Sequence, residues 1–388
     1  MNLRLLDLLV CPIDKTPLEL VAWETHNVPL SRSEQERAER LGIDPNKLST
    51  RIETGVLLNR SRKLFYPIVC GVPRMLVFRT GIGMRFLEEH GECLRRELPG
   101  FALPQQEAMP GEEDVLRTFS REWLAYEWDG RSYWNLPPEQ MYASMDFMLD
   151  LARKPVRHKR VLEVGIGIGG IADHVARQGE CELVGVDLSY AVDAAQKHFG
   201  GNPFFHIVQA SVFALPFGED AFDFVYSQGV IHHTFSTRTA FDKLSKLPRI
   251  GGRLYIWVYS PEDERRNLIR RGLMLLETLI RPICWRLPER LQTAALLPLV
   301  PLYMLHQNTV GRHAQAGAVR YGFNEALHAA RDRFTPRYVH RHSNEEVCQW
   351  FCEAGYSDLQ CVSQRAKPDF VPISFTACTG VEGVRAGR

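Results

Sequence analysis

The chain has 388 residues, 45% of them hydrophobic and 24% charged, with a formal net charge of +1. That is length for two or three modules and a globular composition, which excludes a disordered or collagenous chain, and the near-zero charge gives no general attraction to nucleic acid or to an anionic bilayer. Nine cysteines, an odd number without framework spacing, predict reduced and mostly buried thiols in a cytoplasmic protein.

The opening MNLRLLDLLVCPID carries Asp7 inside its apolar run and no small-residue cleavage site, so it is a poor signal peptide. Residues 1–80 predict a small α+β domain. It enters through LLDLLVCPIDKTPLEL and closes on LFYPIVCGVPRML, a strand interrupted by Gly71 and Pro73. Between them the alternating charges of SRSEQERAERLGIDPNKL predict a solvated helix. Residues 81–114, ending in PGFALPQQEAMPGEED, are expected to form a linker.

From Val115 the pattern turns helical, with Val115, Phe119 and Trp123 at i, i+4 and i+8, and predicts a helix that packs on or caps the next domain. VLEVGI, LVGVDL, FHIVQA, FDFVYS and GRLYIWVY are short apolar runs separated by helix-length stretches. Such alternation predicts a parallel sheet covered on both faces, within a core of residues 115–260. Residues 261–330 form a Leu- and Arg-rich helical insertion. Within it Leu291–Val310 lacks Asp, Glu, Lys and Arg, but Pro298, Pro301 and a short apolar centre argue against a membrane span. Residues 331–388 return to the sheet, with HSNEEVCQWFCEAGY as a capped helix and YSDLQCV and VPISFTAC as closing strands.

The densest chemistry lies in VLEVGIGIGG at 161–170, a strand that carries Glu163 and runs into Gly165, Ile166, Gly167 and Gly169. Glycines there permit a tight turn and close approach of backbone to a ligand. Asp187, 22 residues after Gly165, ends the next strand, where a carboxylate meets the ribose of a bound nucleoside. A dinucleotide would use the same geometry, yet the G-x-G-x-G spacing does not require a pyrophosphate.

Together with LPFGEDAFDFVYSQGVIHHT at 215–234 and IGGRLYIWVY at 250–259, this stretch resembles the class I S-adenosylmethionine-dependent methyltransferases, and the carboxyl half resembles their type-11 group. The resemblance implies an α/β fold: a Rossmann-like, mostly parallel seven-stranded sheet, with the small N-terminal α+β domain and a helical insertion before the last helix. It implies S-adenosyl-L-methionine as cofactor, with Glu163 near the methionine amino group, the glycine loop under the sulfonium, Asp187 on the ribose, and Leu188 beside the adenine. Gln228 follows the fourth strand and joins this cofactor set. The family usually carries an acid after the third strand, near the adenine amino group; Ser211 stands there instead, so that Ser211 or the Val212 amide must serve. Ser227-Gln228-Gly229-Val230 replaces the Asn- or Asp-Pro-Pro-aromatic motif of enzymes that methylate planar amines.

Transfer from a sulfonium needs in-line placement and removal of a proton, and His232 and His233 are the candidate bases. The amino-terminal pieces CPIDKTPLEL and YPIVCGVPRML are similar to the small activator-subunit family of tRNA, rRNA and release-factor methyltransferases. Its zinc-binding members carry Cys-x-x-Cys, whereas Cys11 is followed by Asp14, and Cys70 would complete only two ligands of four, so no metal is expected. Arg265, Arg266, Arg270 and Arg271 read as a solvated helix face rather than a phosphate site. The expected acceptor is a small molecule, lipid or glycan, walled in part by Trp123, Tyr126, Trp128, Tyr133 and Trp134, with RNA or protein methylation and a non-catalytic cofactor scaffold as alternatives and nucleic acid an unlikely partner. Peripheral membrane contact through 261–310 fits that reading.

Overall fold

The computed structural model describes residues 1–124, 136–261, 268–311 and 319–387, without the side chains of 268–273, 276, 310 and 311. Tyr126, Trp128, Tyr133 and Trp134 and the four arginine side chains at 265–271 lie outside that description.

The core is one sheet of seven strands: β5 (Arg160–Val164), β6 (Glu182–Asp187), β7 (Phe205–Gln209), β8 (Phe222–Gln228), β9 (Pro248–Val258), β10 (Tyr356–Cys361) and β11 (Thr379–Arg385). Their order is β10-β11-β9-β8-β5-β6-β7. Pairing is parallel from β7 to β9, and β11 runs antiparallel to both its neighbours. The expected mostly parallel seven-stranded sheet is therefore observed. Period-2 alternation sends Leu162, Val184, Val208, Val225 and Ile256 to one buried face and Val161, Leu183, Ile207, Phe224 and Tyr255 to the other.

One closing strand differs from expectation. Within VPISFTAC, Ile373–Ala377 is a short helix that starts after Pro372, and the strand is the following TGVEGVR. Its glycines hid it, since Gly in a strand reads as a turn. Here they are needed for close packing: a Cβ at Gly383 would meet Leu359 at 2.7 Å and Phe351 at 2.8 Å.

The N-terminal domain is a four-stranded antiparallel sheet of β1 (Glu19–Asn27), β2 (Thr50–Asn59), β3 (Leu64–Val69) and β4 (Val72–Pro73), with helices α1 (Leu3–Leu6), α2 (Arg32–Arg40) and α3 (Pro45–Ser49). Ser31 caps α2 through a reciprocal capping box with Glu34. The stretch expected as a linker begins instead with helix α4 (Gly81–Glu97). Phe86 and Leu94 of α4 pack on Val56, Leu58 and Phe65 of the small sheet, because the apolar residues recur at helical spacing through an otherwise charged segment.

This domain is fused to the core by packing as well as by chain. Leu5, Leu9, Ile52, Tyr66 and Met75 share one buried cluster with Leu162, Val184 and Val208. Arg4 makes two hydrogen bonds to Glu182 at 2.7 and 3.0 Å, and the Met75 amide donates to the Gln209 carbonyl on the edge strand β7 at 2.8 Å. Bidentate, largely buried pairs of this kind fix orientation. Cys11 is buried against the Tyr66 hydroxyl at 3.3 Å and Cys70 is exposed. Among the described residues no group of three metal-ligating side chains stands together.

Helices α5 (Glu112–Leu124) and α6 (Pro138–Met148) precede the sheet; α7 (Gly170–Gln178), α8 (Ala191–Phe199) and α9 (Thr237–Leu244) connect its strands. The insertion contains α10 (Leu268–Cys284), α11 (Glu289–Leu296), α12 (Val300–His306) and α13 (Phe323–Phe334), and α14 (Asn344–Glu353) leads back to the sheet. Glu277, buried on α10, ties the insertion down: Arg333 lies 2.8 Å and Arg341 2.8 Å from its carboxylate, and Arg281 is also paired with it. On the outer side Leu275, Leu279 and Ile283 recur every four residues along α10, each more than 60% exposed. No described helix is long and apolar enough to cross a membrane.

Candidate functional site

A cavity of about 390 Å³ opens at the carboxyl ends of β5, β6, β8 and β9, the crevice where open parallel sheets bind ligands. The sheet side supplies Glu163, Gly165, Ile166, Asp187, Leu188, Ser211, Val212, Gln228 and His233, and α5 and α13 close the opposite side.

The glycine turn has a different reason at each position. Gly165 has φ +90°, and a Cβ there would meet Val230 at 2.1 Å, so the turn passes under the loop after β8 with no room for a side chain. Gly167 has φ +51° and lies under the Trp123 ring, 2.9 Å from where its Cβ would be. Gly169 caps α7 at φ +83° against Ala195 and Phe205. Gly167 and Gly169 thus shape the loop, while Gly165 and Ile166 border the cavity.

Asp187 holds this loop. Its Oδ2 accepts the Gly167 amide at 2.9 Å, and its Oδ1 accepts the Ser189 amide at 2.8 Å and the Ser189 hydroxyl at 2.7 Å. Burial raises its pKa and these donors draw it back. Glu163 is buried with the Tyr226 hydroxyl donating to it at 2.6 Å, and burial lifts its pKa to about 8. The sign follows. The unfolded carboxyl, with its usual pKa of 4.5, loses its proton well before the folded one, so Glu163 favours folding at low pH and costs stability as pH rises from 4.5 through 8. We expect Glu163→Gln to remove this loss, leaving the ligand-free variant more stable than wild type by a few kcal/mol at pH 9 in urea titrations, with little difference at pH 5.

The two candidate histidines separate. His233 lines the cavity, and its Nδ1–H donates to the Tyr338 carbonyl at 2.9 Å, which leaves the Nε2 lone pair as the acceptor. Burial lowers its pKa to about 4, so the ring is neutral at physiological pH. His232 is fully buried behind it, among the rings of His233, Trp257 and Tyr259, and neither of its nitrogens has a hydrogen-bond partner among the described residues. It lies in the packed wall and is not among the residues that line the cavity. His340 and His342, beside the same loop, direct their ring nitrogens to the Thr234 carbonyl and to Glu346.

Sequence reasoning missed three cavity carboxyls. Glu112 and Glu122 come from α5, whose Val115, Phe119 and Trp123 also line the cavity, and Asp332 comes from α13. Glu112 is 6% exposed. Its Oε2 accepts the Met109 amide at 2.9 Å, while Oε1 is buried without a partner among the described residues. Burial raises its pKa, and the nearby Ser211 hydroxyl and the Met109 amide lower it. A signal was present: 112, 115, 119, 122 and 123 share one helical face, and its acids sit where a purely structural helix would carry apolar residues.

Two segments match family models: residues 162–256 match a methyltransferase domain and residues 2–71 a Trm112p-like protein. Among curated proteins, a malonyl-(acyl-carrier protein) O-methyltransferase of Legionella pneumophila is 30% identical over 106 residues, covering 27% of this chain and 37% of that one. A tRNA U34 carboxymethyltransferase of Methylococcus capsulatus is 33% identical over 131 residues, covering 32% and 40%. The chain thus spans about two fifths of the length of these relatives. A solved complex of the Haloferax volcanii Trm112 methyltransferase activator with a methyltransferase aligns at 14% identity and TM-score 0.40, over 69% of this chain and 98% of that one. Residues 162–256 are a methyltransferase domain and residues 2–71 a Trm112p-like domain of the same chain.

Proposed function

We propose that the chain transfers a methyl group from S-adenosylmethionine to an oxygen, carbon or nitrogen atom of a small-molecule, lipid or glycan acceptor held in this cavity. The observation that carries the reading is the convergence of Glu163, the Gly165 turn and Asp187 on one cavity at the carboxyl ends of β5 and β6. The residues suit the cofactor. Glu163 offers a buried carboxyl to its ammonium, Asp187 keeps lone-pair capacity for a ribose hydroxyl, and Leu188 and Val212 offer apolar surface to the adenine. When bound, the cofactor supplies an electrophilic methyl. The chain's part is to align the acceptor, exclude water under α5 and α13, and present the neutral His233 Nε2 to the acceptor's reacting group.

The acid absent after β7 has a replacement in this reading. The unpartnered Oε1 of Glu112, beside Ser211, accepts the adenine amino group, so that base recognition comes from a helix before the sheet instead of from the loop. Calorimetry tests both points. The wild-type chain is expected to bind S-adenosylhomocysteine about 10-fold or more tightly over S-inosylhomocysteine, which has a carbonyl in place of the amine, and Glu112→Gln should lose most of that preference. Incubation of cell extract with methyl-labelled cofactor then sorts acceptors, and label in the organic phase or the soluble metabolite pool is the expected outcome. Label confined to RNA or protein would replace this acceptor class, and absence of cofactor binding would end the reading.

The Trm112p-like domain covers an apolar face of the sheet in cis, which favours a structural role for it within one chain. The exposed stripe of Leu275, Leu279 and Ile283 on α10 suits contact with an apolar or membrane surface.

A further inference from the structure

Five carboxyls border the cavity: Glu112, Glu122, Glu163, Asp187 and Asp332. Three are accounted for by their own hydrogen bonds and by the proposed cofactor. Glu122 is not, and Asp332, within reach of the charges of Arg333 and Arg281, borders the same space.

Glu122 is 2% exposed, and neither carboxyl oxygen has a hydrogen-bond partner among the described residues. The Nε2 of His328 stands 3.7 Å away, too far for a hydrogen bond, and burial keeps that ring neutral by lowering its pKa to about 4. Asp332 lies one turn beyond His328 on α13 and borders the same space. Its charge acts on Glu122 and is the largest influence on the Tyr259 hydroxyl, so the three groups occupy one corner. Burial pushes both carboxyl pKa values up. A buried acid without a donor is costly, and an apolar residue at position 122 would pack on α5 without that cost. Phe119, Trp123 and Tyr259 border the same region with aromatic surface.

We propose that the Glu122–Asp332 corner is the acceptor subsite and that it takes an aliphatic ammonium group, making the methyl acceptor a non-planar amine. The inference rests on the methyl-transfer reading and narrows it. An ammonium carries three donors and a positive charge, and so answers both carboxyls and the aromatic faces at once, and it favours their ionised forms against burial; a hydroxyl brings one donor. One proton of the ammonium passes to an ionised carboxylate of the pair, which leaves His233 Nε2 to orient the amine by accepting a hydrogen bond from it. The freed nitrogen lone pair forms the new C–N bond while the C–S bond breaks toward sulfur, so the sulfonium becomes a thioether and the product nitrogen carries the charge. The absence of a planar-amine motif after β8 agrees with an acceptor of this kind.

The test uses the full chain saturated with S-adenosylhomocysteine and titrated calorimetrically with n-alkylamines from ethyl to octyl and with the alcohols of equal length. In the wild type the best amine is expected to bind about 10-fold or more tightly than its alcohol, and Glu122→Gln and Asp332→Asn should each lose most of that preference. Unchanged S-adenosylhomocysteine affinity shows that the variants are folded with an intact cofactor side. Equal binding of amine and alcohol, no amine binding across the series, or a preference kept in both variants overturns the inference while the methyl-transfer reading stands. Failure of the wild type to bind S-adenosylhomocysteine at the first step overturns that reading, and the inference with it.

Discussion

Replacing Asp187 by alanine is expected to weaken S-adenosylhomocysteine binding by about 100-fold, with asparagine nearly as damaging. The carboxylate has two tasks. It is the acceptor proposed for the ribose, and it already holds the Gly167 amide on one oxygen and the Ser189 amide and hydroxyl on the other. Hydrogen bonds to an ionised group contribute about 1.5–3 kcal/mol each, so a loss of about 100-fold corresponds to the net effect of one of them on binding. Asparagine is no remedy, because both carboxylate oxygens face N–H or O–H donors and its amide NH₂ must turn toward one of them. The measurement is calorimetry on both variants beside a thermal melt. Wild-type affinity in Asp187→Asn would mean that the carboxylate neither shapes the loop nor meets the ligand.

The sheet side of the cavity was legible in the sequence because it is made of local features. A strand end, a glycine turn and an acid at the end of the next strand have fixed separations in a βαβ unit, so Gly165 and Asp187 could be placed from spacing, and Glu163 from the resemblance. The opposite side was not, because it is made by elements that meet only in the folded chain. Glu122 and Asp332 lie more than 200 residues apart in sequence and share a wall only because α5 and α13 cross the same opening. Periodicity marked Val115, Phe119 and Trp123 as a packing face, while Glu112 fell within the stretch expected as a linker and Glu122 drew no reading of its own. The histidine pair shows the same limit at short range. Adjacent residues in a single turn point in different directions, and only the Tyr338 carbonyl, from a segment over 100 residues later, singles out His233. Strand β11 was misplaced for a related reason: its glycines answer the bulk of Phe351 and Leu359 on neighbouring elements, which no local pattern reveals.

The same distinction between local and packed causes gives Gly165→Ala its expected severity. At φ +90° any L residue is strained, at a cost of about 1–2 kcal/mol. A methyl group there would also sit 2.1 Å from the Val230 side chain, and relieving that overlap costs a further ~1–3 kcal/mol. Relief requires the loop after β8, with His232 and His233 on it, to move away from the turn, so the damage reaches both halves of the cavity. We expect a lower urea midpoint, by about 2–5 kcal/mol in unfolding free energy, and S-adenosylhomocysteine binding reduced beyond detection at concentrations that saturate the wild type. Gly201→Ala is the control. Gly201 is not in the positive-φ region, and no atom outside its chain neighbours lies within 4 Å of where its added methyl would stand, so that variant should match the wild type in both measurements. A Gly165→Ala chain that kept its stability but lost binding would show that the Val230 loop yields easily and that the turn's close approach serves the ligand alone.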